Sequence, residues 1–282
     1  MKREEFSLMI FPFGYDLMQG TMSMQDIFDL TAQAGIPTVD VLGVNRDFQP
    51  ACRDAIDKSG VKVYCFIACI SFFQEAERIR ADLERDMDIA GALDAQLFMI
   101  VPYVSPDELV QAAAEGNAAT RERMAAGFRI AVELGEARGL KVCFETTPHD
   151  ETALSGTEDC AYVLQQVPGL GLVFDTANML PHGDDTLEAY EALKDYIIYV
   201  HLKDVALAEQ DPVDPYSEHA KDGRLMRGVV WGDGVIPVRE IASRLRRDGY
   251  GGPFAVEYAH PGQFSRQAHL DQMERFMRYF DA

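Results

Sequence analysis

The chain is short of cysteine and of long apolar runs. Its five cysteines, Cys52, Cys65, Cys69, Cys143 and Cys160, are odd in number and lack the paired spacing of a zinc ribbon. They read as buried free thiols of a reducing compartment. The two greasiest stretches, "YCFIACISFF" and "LFMIVPYV", fall well short of the ~18 apolar residues that a membrane helix needs. The opening "MKREEFSLMI" carries both charge signs and has no long apolar core of a signal peptide, so a cytoplasmic protein is expected. Basic patches are missing too. With a formal net charge of -20, the surface repels phosphate backbones and anionic lipids, which argues against nucleic-acid and membrane partners. No Gly-x-Gly-x-x-Gly follows the first strand-like run, which weakens a dinucleotide-binding sheet. Low-complexity tracts and domain linkers are absent as well.

What is present is a repeating alternation over 282 residues, 48% of them apolar. Strand-like runs are "FSLMIFPF", "TVDVLG", "VKVYCFIACI", "AQLFMIVPYV", "KVCFETT", "LGLVFDTAN", "YIIYVHLKD" and "PFAVEYAH". Amphipathic stretches such as "SMQDIFDLTAQAG", "QEAERIRADLERDMDIAGALD", "ATRERMAAGFRIAVELGEARG" and "PVREIASRLRRDGYGG" separate them. Several end on glycine, at Gly35, Gly60, Gly139 and Gly251, the expected C-cap signal. Eight strands alternating with helices, in a length near the ~250 residues typical of the fold, predict one (β/α)8 TIM barrel spanning residues 1–282. An open doubly wound sheet is the alternative. One segment, from Ala206 to Asp233, is rich in Pro, Gly and charge and reads as a long irregular loop, the usual form of a lid or binding loop.

Four consecutive strands end on residues suited to metal ligation: Glu145, Asp175, His201 and Glu257. In a barrel the C-terminal strand ends meet on one face. Residues two positions upstream share each side chain's direction, and these are Cys143, Val173, Tyr199 and Ala255, mainly apolar and suited to a barrel interior. Three carboxylates and an imidazole aimed into one space repel one another and lose hydration unless a cation sits among them. A set rich in oxygen with one nitrogen suits Mn²⁺, Mg²⁺ or Co²⁺, with Zn²⁺ still open.

At these residues the chain resembles the sugar phosphate isomerase/epimerase superfamily, the xylose isomerase-like barrels, most specifically in "FET", "VFDTAN", "HLKD", "WGDG" and "GYGGPFAVEY". The resemblance covers essentially the whole chain. It implies one divalent metal held by Glu145, Asp175, His201 and Glu257, with Glu145 and Glu257 as acid and base around a sugar carbon. Abstraction of a proton beside a carbonyl gives an enediolate; its onward fate is epimerisation, isomerisation or dehydration. The superfamily includes all three, and "HLKD" also resembles its inosose dehydratase branch. Two departures stand out. Ketose epimerases carry a histidine where this chain has Asn178 and an arginine where it has Leu207. His182 and Arg227 are candidate replacements.

Further substrate-facing candidates are Lys203, which shares the parity of His201; His149, four residues past Glu145; Asp40, near the end of the second strand; and Trp231, an aromatic able to cover a sugar face. Each has a plainer reading: an ion-paired lysine, a surface histidine, an acid turned from the pocket, an aromatic packed on the barrel. Tyr258 points away by parity, and His260 follows it. Gly232 and Gly234 serve the turn before "VIPVREI". A dianionic phosphate is disfavoured by the acidic balance and by the lack of a Gly-rich helix start, although Lys221, Arg224 and Arg227 form a conceivable clamp. The related apurinic endonucleases share the barrel but bind DNA and cluster more histidines. A barrel that only binds sugar is a further rival. Expected partners are therefore a small carbohydrate-like substrate and, as in much of the family, other copies of the chain in a homo-oligomer.

Overall fold

The computed structural model of the protein describes residues 1–43, 46–147, 153–208, 218–257 and 265–280. Its strands in chain order are β1 (Phe6–Met9), β2 (Thr38–Leu42), β3 (Lys62–Ile70), β4 (Leu97–Pro102), β5 (Lys141–Glu145), β6 (Gly171–Asp175), β7 (Ile197–Leu202), β8 (Asp204–Ala208), β9 (Glu218–His219), β10 (Leu225–Val229) and β11 (Phe254–Val256). Eight of them close a barrel in the order β1-β11-β7-β6-β5-β4-β3-β2, and every neighbouring pair is parallel. All eight strand-like runs read from the sequence contribute one barrel strand each. Helices including Met24–Gln33, Ala76–Ala92, Asn117–Arg138 and Val238–Arg247 pack outside.

Period-two alternation sorts side chains into two cores. Met9, Cys65, Ile67, Leu97, Met99, Cys143, Val173, Tyr199 and Ala255 fill the barrel interior as one cluster. Their sequence neighbours, including Phe66, Phe98, Phe144, Phe174, Val200 and Val256, join the larger cluster beneath the helices. Four of the five free cysteines are buried, but Cys69 is exposed. Its parity with Cys65 and Ile67 carries it up the inward side to the open C-terminal end of β3.

Helix ends follow local chemistry. Ser23 accepts from the Asp26 N–H while Asp26 returns a bond to the Ser23 N–H, and Ser105 and Glu108 do the same for Pro106–Glu115. Gly35, Gly60 and Gly139 take positive φ of 74°, 75° and 69° as expected, but after Val238–Arg247 the left-handed residue is Gly249, at 96°, and not Gly251. The segment expected as a loop from Ala206 to Asp233 is partly sheet: β8, β10 and β9 form a small antiparallel sheet in that order. Cross-strand pairing of residues about 20 apart, such as Arg227 opposite Ala206, gives its backbone groups their partners.

Asp204 organises the turn that returns from this sheet. Buried at the start of β8, it accepts N–H bonds from Gly232 (2.8 Å), Gly234 (3.1 Å) and Ile236 (3.0 Å). The glycines of "WGDG" serve that cradle, since a Cβ on Gly234 would lie 2.1 Å from Asp204 Oδ1. Asp204→Ala is expected to lower the unfolding free energy by roughly 2–5 kcal/mol, as three N–H groups lose their acceptor together. Urea denaturation of the variant against the wild type reads this directly.

A second structural pair lies between the short helix Gly14–Gln19 and the C-terminal helix Arg266–Tyr279. His269, wholly buried, stacks on Phe13 at 4.2 Å and sets Nε2 3.3 Å from Asp16 Oδ2. Burial pulls its pKa below the ordinary 6.5 even though Asp16 pulls the other way. The unfolded chain therefore binds the proton more readily than the folded one. Stability from this site is complete above about pH 6.5 and is lost as the pH falls toward the folded-state pKa. The urea midpoint is expected to drop between pH 7.5 and 5.5, and by less in His269→Phe.

Candidate metal and acid–base site

The four strand-end residues converge. Each of Glu145, Asp175, His201 and Glu257 offers one ligand atom, and the four atoms lie within 4.8 Å of one another. Register explains the meeting: Asp175 stands directly opposite His201 across β6 and β7, and Ala255 opposite His201 across β7 and β11. The in–out–in triplets Cys143-Phe144-Glu145, Val173-Phe174-Asp175, Tyr199-Val200-His201 and Ala255-Val256-Glu257 aim each polar side chain up the same channel as the interior core.

The backbone beyond each strand fixes the orientation. Asp175 Oδ1 accepts from the Ala177 N–H (2.7 Å) and the Asn178 N–H (3.0 Å), which leaves Oδ2 turned to the cluster. Thr176 latches β6 to β7, its Oγ1 donating to the Lys203 carbonyl (2.7 Å) and accepting from the Lys203 N–H (2.9 Å). The Glu257 N–H donates to the Leu202 carbonyl at 3.3 Å. His201 Nδ1 faces both glutamates, 3.0 Å from Glu257 Oε2 and 2.7 Å from Glu145 Oε1. Lys203 Nζ lies 3.2 Å from Glu257 Oε1, 3.8 Å from Asp175 Oδ2 and 3.2 Å from Asn178 Oδ1.

Electrostatics within the group are lopsided. At Asp175 burial is the largest influence; with the two glutamates it outweighs Lys203 and lifts the carboxyl to about 8. At His201 burial acts downward, yet Glu145 and Glu257 overcome it and hold the imidazole well above its usual range. At Glu257 burial is overcome by Lys203 and His201, and the carboxyl falls to about 2. The opposite directions of these shifts show acids crowded together with too little positive charge among them. A buried Glu145 Oε1 and a buried Asp175 Oδ2 meanwhile take no hydrogen bond from the described residues. Hard oxygen donors with one imidazole, partly unsatisfied and mutually repelling, are a set that could hold a divalent cation.

The remaining candidates are placed as follows. Lys203 is at the cluster. Asp40 is not open to substrate: it is fully buried in the barrel, with its Oδ1 accepting from Ser7 Oγ (2.8 Å) and its Oδ2 from Tyr199 Oη (2.7 Å). Trp231 is also corrected, being 2% exposed and packed on Phe6, Phe276, Tyr279 and Phe280 with its indole N–H donating to the Leu202 carbonyl. That packing leaves it no face for a sugar. His182 sits 3.4 Å from Ser155 Oγ in a cavity of about 380 Å³ walled by Asn117, Thr120, Ser155 and Asp159, none of them in the quartet. Arg227 is exposed on β10, and Arg224 is paired with Asp222. His149, Tyr258 and His260 lie outside the described residues. Sequence reading missed Asn178 as a partner of Lys203. It also missed Tyr199 and Ser7 as partners of Asp40; the only signal for these was two polar residues with interior parity.

Comparison with known proteins follows the same lines. No helix among the described residues is long and apolar enough to cross a membrane. An inosose dehydratase of Lacticaseibacillus casei is 24% identical over 180 residues, 62% of this chain and 55% of that protein. The chain thus matches only about half the length of that curated relative. The crystal structure of a probable 3-DHS dehydratase involved in petrobactin synthesis, from Bacillus anthracis, superposes with a TM-score of 0.72 at 17% identity, covering 97% of this chain and 98% of that one. A 3-keto-D-glucoside 4-epimerase from E. coli in its apo form gives 0.68 at 14% identity, covering 97% and 99%. These structural likenesses speak to the fold. The family model of the xylose isomerase-like TIM barrel matches residues 23–279, and the chain belongs to that family.

Proposed function

We propose that the protein is a divalent-metal-dependent enzyme that removes a proton beside a carbonyl of a sugar, cyclitol or keto-acid, and that it acts as an isomerase or epimerase. The observation that carries this reading is the convergence of three carboxylates and one imidazole within 4.8 Å. Glu145, Asp175, His201 and Glu257 would hold the ion, with Mn²⁺ the best match to the donor set and Mg²⁺, Co²⁺ or Zn²⁺ as alternatives. When bound, such an ion supplies Lewis-acid stabilisation of charge developing on substrate oxygen.

The side chains do the rest. Glu145 and Glu257 occupy the outer strands of the four-strand arc β5-β6-β7-β11, so they flank Asp175 and His201. One glutamate takes the proton and the other returns it, which inverts a centre or moves the carbonyl. Lys203, held by Glu257 and Asn178, directs its ammonium toward a substrate oxygen. Asn178 and Leu207 replace the histidine and arginine of ketose epimerases, and Leu207 packs against the core. The absence of both the epimerase histidine and the epimerase arginine favours a second reading. Dehydration, in which a hydroxyl leaves from the carbon next to the enediolate, fits the names of the inosose dehydratase and the probable 3-DHS dehydratase. A homo-oligomer remains a proposal by family likeness.

The test is solvent exchange. Incubated with Mn²⁺ in deuterated water, the enzyme is expected to place deuterium beside the carbonyl of at least one member of a panel of ketoses, inososes and dehydroshikimate-like acids. Mass loss of one water then identifies a dehydratase. No exchange and no conversion across the panel would remove the reading.

A further inference from the structure

The barrel interior beneath the quartet contains one acid that the chemistry above does not use. Asp40 stands opposite Met9 and Cys65 in the strand register and is wholly cut off from solvent. Such a carboxylate costs several kcal/mol if left unpaired, so a plain apolar residue would serve packing better. Instead the fold holds it in place. Ser7 Oγ donates to one oxygen and Tyr199 Oη to the other.

The Cys65 backbone also hydrogen-bonds this carboxyl, and His201 is a further neighbour. Nδ1 of that ring faces the glutamates, whereas Nε2 is buried, takes no hydrogen bond from the described residues, and lies 3.9 Å from Asp40 Oδ2. Tyr199 adds a second restraint, its ring meeting the imidazole edge-on at 5.2 Å and 86°. A histidine can present the lone pair of one nitrogen to a cation only while the other nitrogen carries the proton. Carboxylates on that far side are a recurring means of fixing ring and tautomer. We infer that Asp40, locked by Ser7 and Tyr199, is a positioning residue that keeps the His201 proton on Nε2 and the Nδ1 lone pair aimed at the quartet. The inference rests on the metal-binding reading of that site and extends it one layer into the barrel.

The test measures metal affinity, not turnover. Metal-free wild type, Asp40→Asn and Tyr199→Phe are titrated with Mn²⁺ against a chelating dye, with urea midpoints to confirm that each is folded. Asp40→Asn is expected to bind Mn²⁺ about 10–100-fold more weakly, and Tyr199→Phe, which keeps the carboxylate, to lose less. Affinity of folded Asp40→Asn within about twofold of wild type would overturn the inference, since a packing role alone predicts that result. A measurement on the wild type needs no variant: in ¹⁵N-histidine spectra of the Zn²⁺-loaded protein, His201 should carry its proton on Nε2. An unprotonated Nε2 would overturn it equally. Failure of the wild type to take up any metal would remove the metal reading itself, and with it this inference; equal uptake by wild type and Asp40→Asn removes the inference alone.

Discussion

His201→Ala is expected to abolish metal retention and turnover together, with activity falling by on the order of 10³-fold or more. The imidazole supplies the one nitrogen donor of the quartet and stands opposite Asp175 in the strand register. Its removal leaves Asp175, Glu145 and Glu257 facing one another with Lys203 as the nearby cation. Repulsion among the acids then raises their affinity for protons, so a proton competes for the place of the ion. Metal analysis of the purified variant reads the loss directly. Thermal unfolding gives an independent measure, because an ion that binds only the folded state stabilises the wild type by about 2.7 kcal/mol at a hundred times its Kd. The wild-type midpoint should therefore rise with Mn²⁺, and the variant's should stay where it is. A variant that keeps both its metal and its activity would show that the convergence of these side chains is not what holds an ion.

Why the quartet could be read from sequence, when other features could not, follows from the distances over which each is decided. Glu145, Asp175, His201 and Glu257 each follow an inward apolar residue by two positions, and period-two alternation is a local property of a strand. The barrel then brings four strand ends together whatever the loops do. The same alternation turns Asp40 inward in the structure, but nearness to a strand end says nothing about height. Height depends on the stagger of neighbouring strands, and a register shift between Val39 and Asp40 sets the acid opposite Cys65, below the mouth. Trp231 was ambiguous for a similar reason. Its burial is decided by Phe276, Tyr279 and Phe280, which arrive from the far end of the chain. The sheet of β8, β10 and β9 was hidden because its strands are short and flank a run of Pro, Gly and charge whose local signal is a loop.

Glu257→Gln should separate binding from chemistry, and it is the sharper of the two substitutions. The amide keeps the shape and one acceptor oxygen of the glutamate, so Glu145, Asp175 and His201 remain to hold the ion, with reduced affinity. What the amide lacks is the ability to take up and return a proton. Turnover is expected to fall roughly a hundred- to ten-thousand-fold while substantial metal stays bound. Lys203 and His201 make the case stronger, since together they overcome burial and hold this carboxyl ionised, the form a base requires. If Glu145 works one face of the substrate and Glu257 the other, the variant should still exchange solvent deuterium into the substrate form that Glu145 deprotonates and should fail to convert it. Glu145→Gln should show the reverse preference. A dehydratase gives a different pattern: loss of the base stops exchange outright, whereas loss of the acid leaves exchange without release of water. Following both variants in deuterated water therefore distinguishes a two-base epimerase from an elimination enzyme on one set of samples. Full turnover by a metal-loaded Glu257→Gln would remove Glu257 from the proton transfer and leave it as a ligand alone.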